Sequence, residues 1–181
     1  DMHTGDLDAA DAWYREKAPR EPTHLNVMRR YQYLTQAMVE LEDGRPDTVQ
    51  LTLAPLEPYI QNCARIIDGI HLNVLTAIAL YRKKDERWCE RLTAALDAAA
   101  EYRFIRTISV YGTAVLPLLE VLDWDGDKAW RKRLMAAVRT QAALYPHFLE
   151  PRLAPGEELT PTELQILHLL CADKSNAEIA Q

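Results

Sequence analysis

Glycine is scarce in this 181-residue chain, with six in all. No stretch alternates apolar and polar residues long enough to suggest a sheet, so β architectures are excluded. Cysteine is scarcer still: Cys63, Cys89 and Cys171 are odd in number, scattered, and without CxxC spacing. That argues against a disulfide framework or a zinc site, and for a reducing cytoplasm in which thiols act as small apolar side chains. There is no long uncharged apolar run and no leader pattern, so neither a membrane span nor a targeting segment is expected. Positive charge is short as well. The net charge is −6, which gives the chain as a whole no basic footprint for nucleic acid. A DNA-binding role has to sit in a local element.

What is present is helix-forming. The chain is 48% hydrophobic, and Leu, Ala, Arg and Glu dominate, with apolar residues recurring at helical spacing. Turn signals fall at Gly5-Asp6, Asp43-Gly44-Arg45-Pro46, Lys83-Lys84-Asp85 and Asp125-Gly126-Asp127. From Gly5 to Gly44 is 39 positions, from Gly44 to Lys84 is 40, and from Lys84 to Gly126 is 42. A near-regular period of that length predicts an all-α fold of antiparallel helical hairpins stacked as a superhelix. The helices expected are about 7–17, 23–42, 47–63 (interrupted or bent near Pro55 and Pro58), 65–82, 86–102, 107–122 and 127–144. Residues 146–158 hold three prolines and a glycine and read as a linker, so the repeats are expected over 1–145 and a separate element over 159–181. Asp1 and Gln181 both fall within helical patterns, which predicts that the chain is part of a longer protein.

Signatures of chemistry are missing. No phosphate loop, GxGxxG, GxSxG or HExxH occurs, so no enzyme and no cofactor is expected. His24, His71, His147 and His168 lie far apart, which predicts no metal site. Asp123, Asp125 and Asp127 follow a calcium-loop pattern for three positions only, and an acid-rich helix start accounts for them better. Trp13, Trp88, Trp124 and Trp130, with Tyr31 and Tyr33, are candidates for an aromatic box. The plainer expectation is that they fill gaps between hairpins.

The densest local signal is Leu159-Thr160-Pro161-Thr162-Glu163-Leu164. Thr160 suits an N-cap, Pro161 the first helical position, and Glu163 the far side of a capping box. Leu164, Leu167, Leu170 and Cys171 then make one apolar stripe. After a break at Ala172-Asp173-Lys174, Ser175-Asn176-Ala177-Glu178 forms a second capping box. Two short capped helices with a tight break suit the first half of a helix-turn-helix.

These residues resemble the opening of the LuxR-type helix-turn-helix domain. Leu159, Thr160, Glu163, Ile166, Leu167, Leu170, Ser175, Asn176, Glu178, Ile179 and Ala180 fall on its pattern. Asp173-Lys174 departs from it, where the family often has glycine. Upstream, Gly5-Asp6-Leu7 with Ala10 and Trp13, the Gly44-Arg45 turn, and Tyr102-Arg103-Phe104-Ile105 followed by Gly112 and Leu116 resemble the tetratricopeptide-like (TPR-like) domain of MalT-type LuxR regulators. The resemblance implies a cytoplasmic transcription regulator whose repeats sense an effector or self-associate, and whose helix-turn-helix binds DNA. Thr160, Ser175 and Asn176 would then lie near phosphates as well as cap helices. Arg65, His71, Arg103 and Arg106 are the candidate effector contacts, expected on a face that gathers charged and aromatic side chains from several hairpins. The alternative is a TPR-like scaffold that binds proteins without DNA.

The recognition helix that reads base edges in the family lies beyond the motif matched here. Residues 159–181 also carry one lysine against three carboxylates, a net of −2. Residues 1–181 alone should therefore show no sequence-selective DNA binding, and the same chain extended through a complete helix-turn-helix should show it. A mobility-shift titration at moderate salt checks this, and selective binding by residues 1–181 would refute it.

Overall fold

A computed structural model describes residues 7–19 and 29–152. The chain divides into two compact units, Asp1–Pro151 and Arg152–Gln181. The second unit lies almost wholly outside the described residues, and with it the expected helix-turn-helix and its candidate residues Thr160, Ser175 and Asn176. Among the described residues there is helix and no strand. The elements are α1 (Leu7–Lys17), α2 (Arg30–Glu42), α3 (Pro46–Leu53), α4 (Leu56–Asn62), α5 (Ile66–Arg82), α6 (Trp88–Glu101), α7 (Arg106–Ser109), α8 (Gly112–Val121) and α9 (Lys128–Leu144). The all-α repeat architecture expected from the turn period is the one observed.

Helix α5 occupies the middle. Its sequence IIDGIHLNVLTAIALYR is apolar almost all round, and it packs against α2, α3, α4, α6, α7 and α8. Ile70, Val74, Leu75, Ala77, Ile78 and Ala79 are buried in it, and they join one core with Leu41, Leu53, Leu92, Leu96, Ile108 and Leu118. Three of the four tryptophans belong to this core. Trp88 meets the Tyr81 ring edge-on, and Trp124 and Trp130 meet each other at 5.6 Å between ring centres. They do not form a ligand box. Tyr33 is also buried, and Tyr31 is exposed.

Two expected helices are each divided, the first where an interruption was expected. Pro55 ends the run from Pro46 and starts α4, as a ring without an N–H must when it meets a helix interior. The run over 107–122 splits at Val110-Tyr111 into α7 and α8, with Gly112 at φ +35°. A side-chain carbon at Gly112 would stand 3.1 Å from the Ala142 backbone nitrogen, so α8 reaches α9 this closely only because residue 112 is glycine. The segment after Pro146, linker-like by composition, contributes Phe148 and Leu149 to the core. Arg82 fastens it by donating to the Leu149 carbonyl and, at 2.7 Å, to the Leu41 carbonyl.

The reversals between helices share one device. Gly44, Ala64, Lys84 and Arg103 all have left-handed backbone, at φ +66°, +47°, +59° and +59°. The N–H that follows each one reaches back five residues: Arg45 to Glu40, Arg65 to Ile60, Asp85 to Leu80 and Phe104 to Ala99, at 2.8 to 3.1 Å. This is the Schellman closure of a helix C-terminus, repeated at intervals of 20, 20 and 19 residues. The 40-residue period of the sequence is two such steps. The Gly126 turn is different. Leu122 is extended there, Trp124 covers Gly126, and Asp127 accepts the Trp130 N–H at 2.9 Å to cap α9.

Left-handed backbone favours glycine over any other residue, and the exposed Lys84 occupies such a position. Lys84→Gly should raise unfolding stability by about 1 kcal/mol. Urea denaturation with an unchanged m-value checks it, and a loss of stability would contradict the turn assignment.

Candidate functional site

The turn at Ala64 and the turn at Arg103 form the walls of one cleft. It has a volume of about 370 Å³ and is lined by Cys63, Ala64, Arg65, Ile66, Ile67, Asp68, Tyr102 and Phe104. The repeated C-cap puts them there, because each reversal presents the residues on either side of its left-handed position. Tyr102 stacks on Phe104 with ring centres 5.7 Å apart and planes 18° from parallel. Tyr102 is 46% exposed and Ile67 45%, unusual for side chains of this size and apolarity.

At the base of the cleft, Asp68 is 3% exposed. A buried carboxylate needs partners, and two guanidinium groups supply them. Arg65 Nε donates to Asp68 Oδ2 at 2.6 Å, and Arg30 Nε stands 3.2 Å from the same oxygen. Arg30 also lies over the Tyr31 ring, 4.6 Å from its centre. The contact with Asp68 holds the Arg65 guanidinium above its usual pKa, fixing it as a cation.

Of the four candidate effector residues, Arg65 alone lines the cleft. His71 is one turn further along α5 and faces inward, where its Nδ1 and the Tyr111 hydroxyl share a hydrogen bond of 2.8 Å. Burial pulls the His71 imidazole below its ordinary value, and the nearby Asp68 charge opposes this in part. Burial pushes the Tyr111 hydroxyl far above the usual tyrosine range. Arg103 sits between the two lining aromatics, but its own side chain pairs with Asp127. That contact and the Trp130 N–H hold the Asp127 carboxyl below its ordinary value, the backbone bond contributing most. Arg106 opens α7 as an exposed side chain outside the cleft. Sequence reasoning missed Asp68 and the Tyr102–Phe104 pair. An aspartate three residues after an arginine in an otherwise apolar helix is the signal that points to Asp68. Cys63, expected as a small apolar filler, is exposed at the cleft, whereas Cys89 packs against the core.

A second cleft of about 280 Å³ lies where α3, α5 and α6 meet, lined by Gln50, Glu57, Thr76, Arg87, Glu90 and Arg91 among others. Its arginines are already engaged. Arg91 pairs with Glu57 and reaches Asn73, and Arg87 holds Asp85. Among the described residues no cluster of metal-ligating side chains occurs, and no helix is long and apolar enough to cross a membrane.

The fold and its turn device define an all-α, TPR-like helical repeat. Residues 2–124 match the MalT-like TPR region, and the chain belongs to that family. No curated protein and no solved structure matches it.

The buried imidazole has a consequence for stability. A depressed folded pKa means that the unfolded chain binds the proton more readily. The contribution of His71 is therefore complete above the unfolded value of 6.5 and is lost as pH falls through the folded one. Urea melts should show lower stability at pH 5.5 than at pH 7.5, and His71→Gln should flatten that difference. An equal pH dependence in the variant would exclude His71 as its source.

Proposed function

We propose that this chain is the repeat portion of a DNA-binding transcription regulator. In this reading the MalT-like repeats receive an effector or associate with one another, and a LuxR-type helix-turn-helix beginning at Leu159 contacts DNA. The observation that carries the reading is the order of two signals in one chain. A region of the MalT-like TPR family is followed by Leu159, Thr160, Glu163, Ser175, Asn176 and Ile179 on the LuxR-type pattern. The regulator works in the cytoplasm, without a catalytic step or cofactor. Its partners are DNA, an effector on the repeats, and a second copy of itself.

The described unit supports the repeats as a receiver. It offers clefts between successive hairpins, where small molecules are commonly held, and one of them carries a fixed guanidinium beside an exposed tyrosine stacked on a phenylalanine. Thr160, Ser175 and Asn176 are assigned to phosphate contact and helix capping at the DNA surface. Arg65 is assigned to the effector. His71 acts behind it through Asp68, and Arg103 acts by shaping the turn that carries Tyr102 and Phe104.

The test is selection from a random duplex library by a protein that carries this chain with a complete helix-turn-helix. Enrichment of one motif, lost on Asn176→Ala together with Ser175→Ala, is the expected result. Retention of no motif, with partner proteins still captured by the repeats, would favour a protein-binding scaffold instead.

A further inference from the structure

Resting on the effector-receiver reading, we propose that the cleft between the Ala64 and Arg103 turns binds a small monoanion with a flat apolar body, an aromatic carboxylate. The anion site is Arg65. Its Nε is taken by Asp68, which fixes the guanidinium, while its terminal nitrogens make no hydrogen bond to any described residue. Those two nitrogens form the fork that a carboxylate accepts in bidentate fashion. Asp68 does not exhaust the Arg65 charge, because Arg30 bears on the same carboxylate oxygen. Among the described residues Asp68 is also the only acidic one lining the cleft, and it is covered, so an incoming anion meets little repulsion there.

The body of the ligand is selected by the opposite wall. The Tyr102 ring, backed by Phe104, and the Ile67 side chain present apolar surface that the fold leaves open. A planar ring seated there stacks on Tyr102 and removes that surface from water. The volume of about 370 Å³ suits one or two fused rings with a short acid arm, not an extended peptide. The second cleft lacks this combination, since Glu57 and Glu90 face it and its arginines are paired.

The experiment is calorimetric titration of the 181-residue chain with benzoate, phenylacetate, indole-3-acetate and 1-naphthoate, and with the corresponding neutral amides. At least one carboxylate should bind saturably, with its amide about tenfold weaker or more. Arg65→Gln should weaken the carboxylate by a similar factor, with Asp68 still held by Arg30. Tyr102→Ala, a change at an exposed ring, should weaken acid and amide alike. Arg91→Gln, in the other cleft, should change nothing. The proposal is overturned if no carboxylate saturates, if the amides bind equally, or if both cleft variants bind as the parent does. Because DNA plays no part in this measurement, its failure leaves the site-selection result standing. Conversely, carboxylate binding with no selected DNA motif would retain the cleft and remove the regulator.

Discussion

The middle of this molecule depends on one backbone constraint: a helix must be ended by a single residue of left-handed conformation before the next can begin. At Gly44, Ala64, Lys84 and Arg103 the same closure satisfies the last carbonyls of one helix, and the next helix starts two to four residues later. Three of those four residues carry a side chain that prefers other backbone. The fold accepts that cost, of about 1 kcal/mol or more at each, because it brings successive helices side by side around α5. The functional geometry follows from the same step. Cys63 to Arg65 and Tyr102 to Phe104 are the shoulders of two such turns, so the cleft is a by-product of how the repeats reverse.

Guanidinium groups fasten what the turns arrange. Arg131 holds the carbonyls of Leu119, Leu122 and Trp124 at 2.6 to 3.1 Å, and Arg82 holds those of Leu41 and Leu149. In both cases a delocalised cation with several donors ties backbone oxygens near a helix end to those of the segment that follows a helix. Carboxylates play the complementary part. Glu40, 2% exposed, accepts from Tyr14, Gln36 and Thr52, just as Asp68 accepts from Arg65. Such groups add little net stability, since their desolvation offsets most of the attraction. What they supply is direction, since each contact requires its two elements to meet in one orientation.

The helical class, the hairpin period and most helix ends were legible in the sequence, because apolar spacing and turn residues report directly on local backbone. The breaks near Ala64 and Arg103 were legible too, but the left-handed closure that makes them was not. Alanine and arginine carry no turn signal, and it is the closure of neighbouring helices that forces them into left-handed backbone. The site was legible only at Arg65. Arg103 looked equivalent, yet the capping carboxylate of Asp127 lies within its reach, and His71 is drawn inward by Tyr111. Pairing across 24 and 40 positions of sequence is decided by packing, and composition does not report it. Phe148 and Leu149 make the same point, since prolines on either side of them suggest a linker while the core has room for two more apolar side chains.

Helix α5 joins these features. Its first turn carries Asp68 under the cleft, and its last residue, Arg82, grips the strand of chain that leads to Pro151 and out of the unit. The two positions are fourteen residues apart, roughly 21 Å along a straight helix. A helix buried on nearly all sides does not bend freely between them. A change in how Asp68 is held therefore reaches Arg82 only as a movement of the whole rod against its neighbours, not as a local adjustment. Coupling of that kind requires two discrete packings of α5. The polar contacts at its two ends, Asp68 with two arginines and Arg82 with two carbonyls, are where such packings would differ. Directional bonds of this sort are broken by small displacements, whereas the apolar contacts between them tolerate sliding.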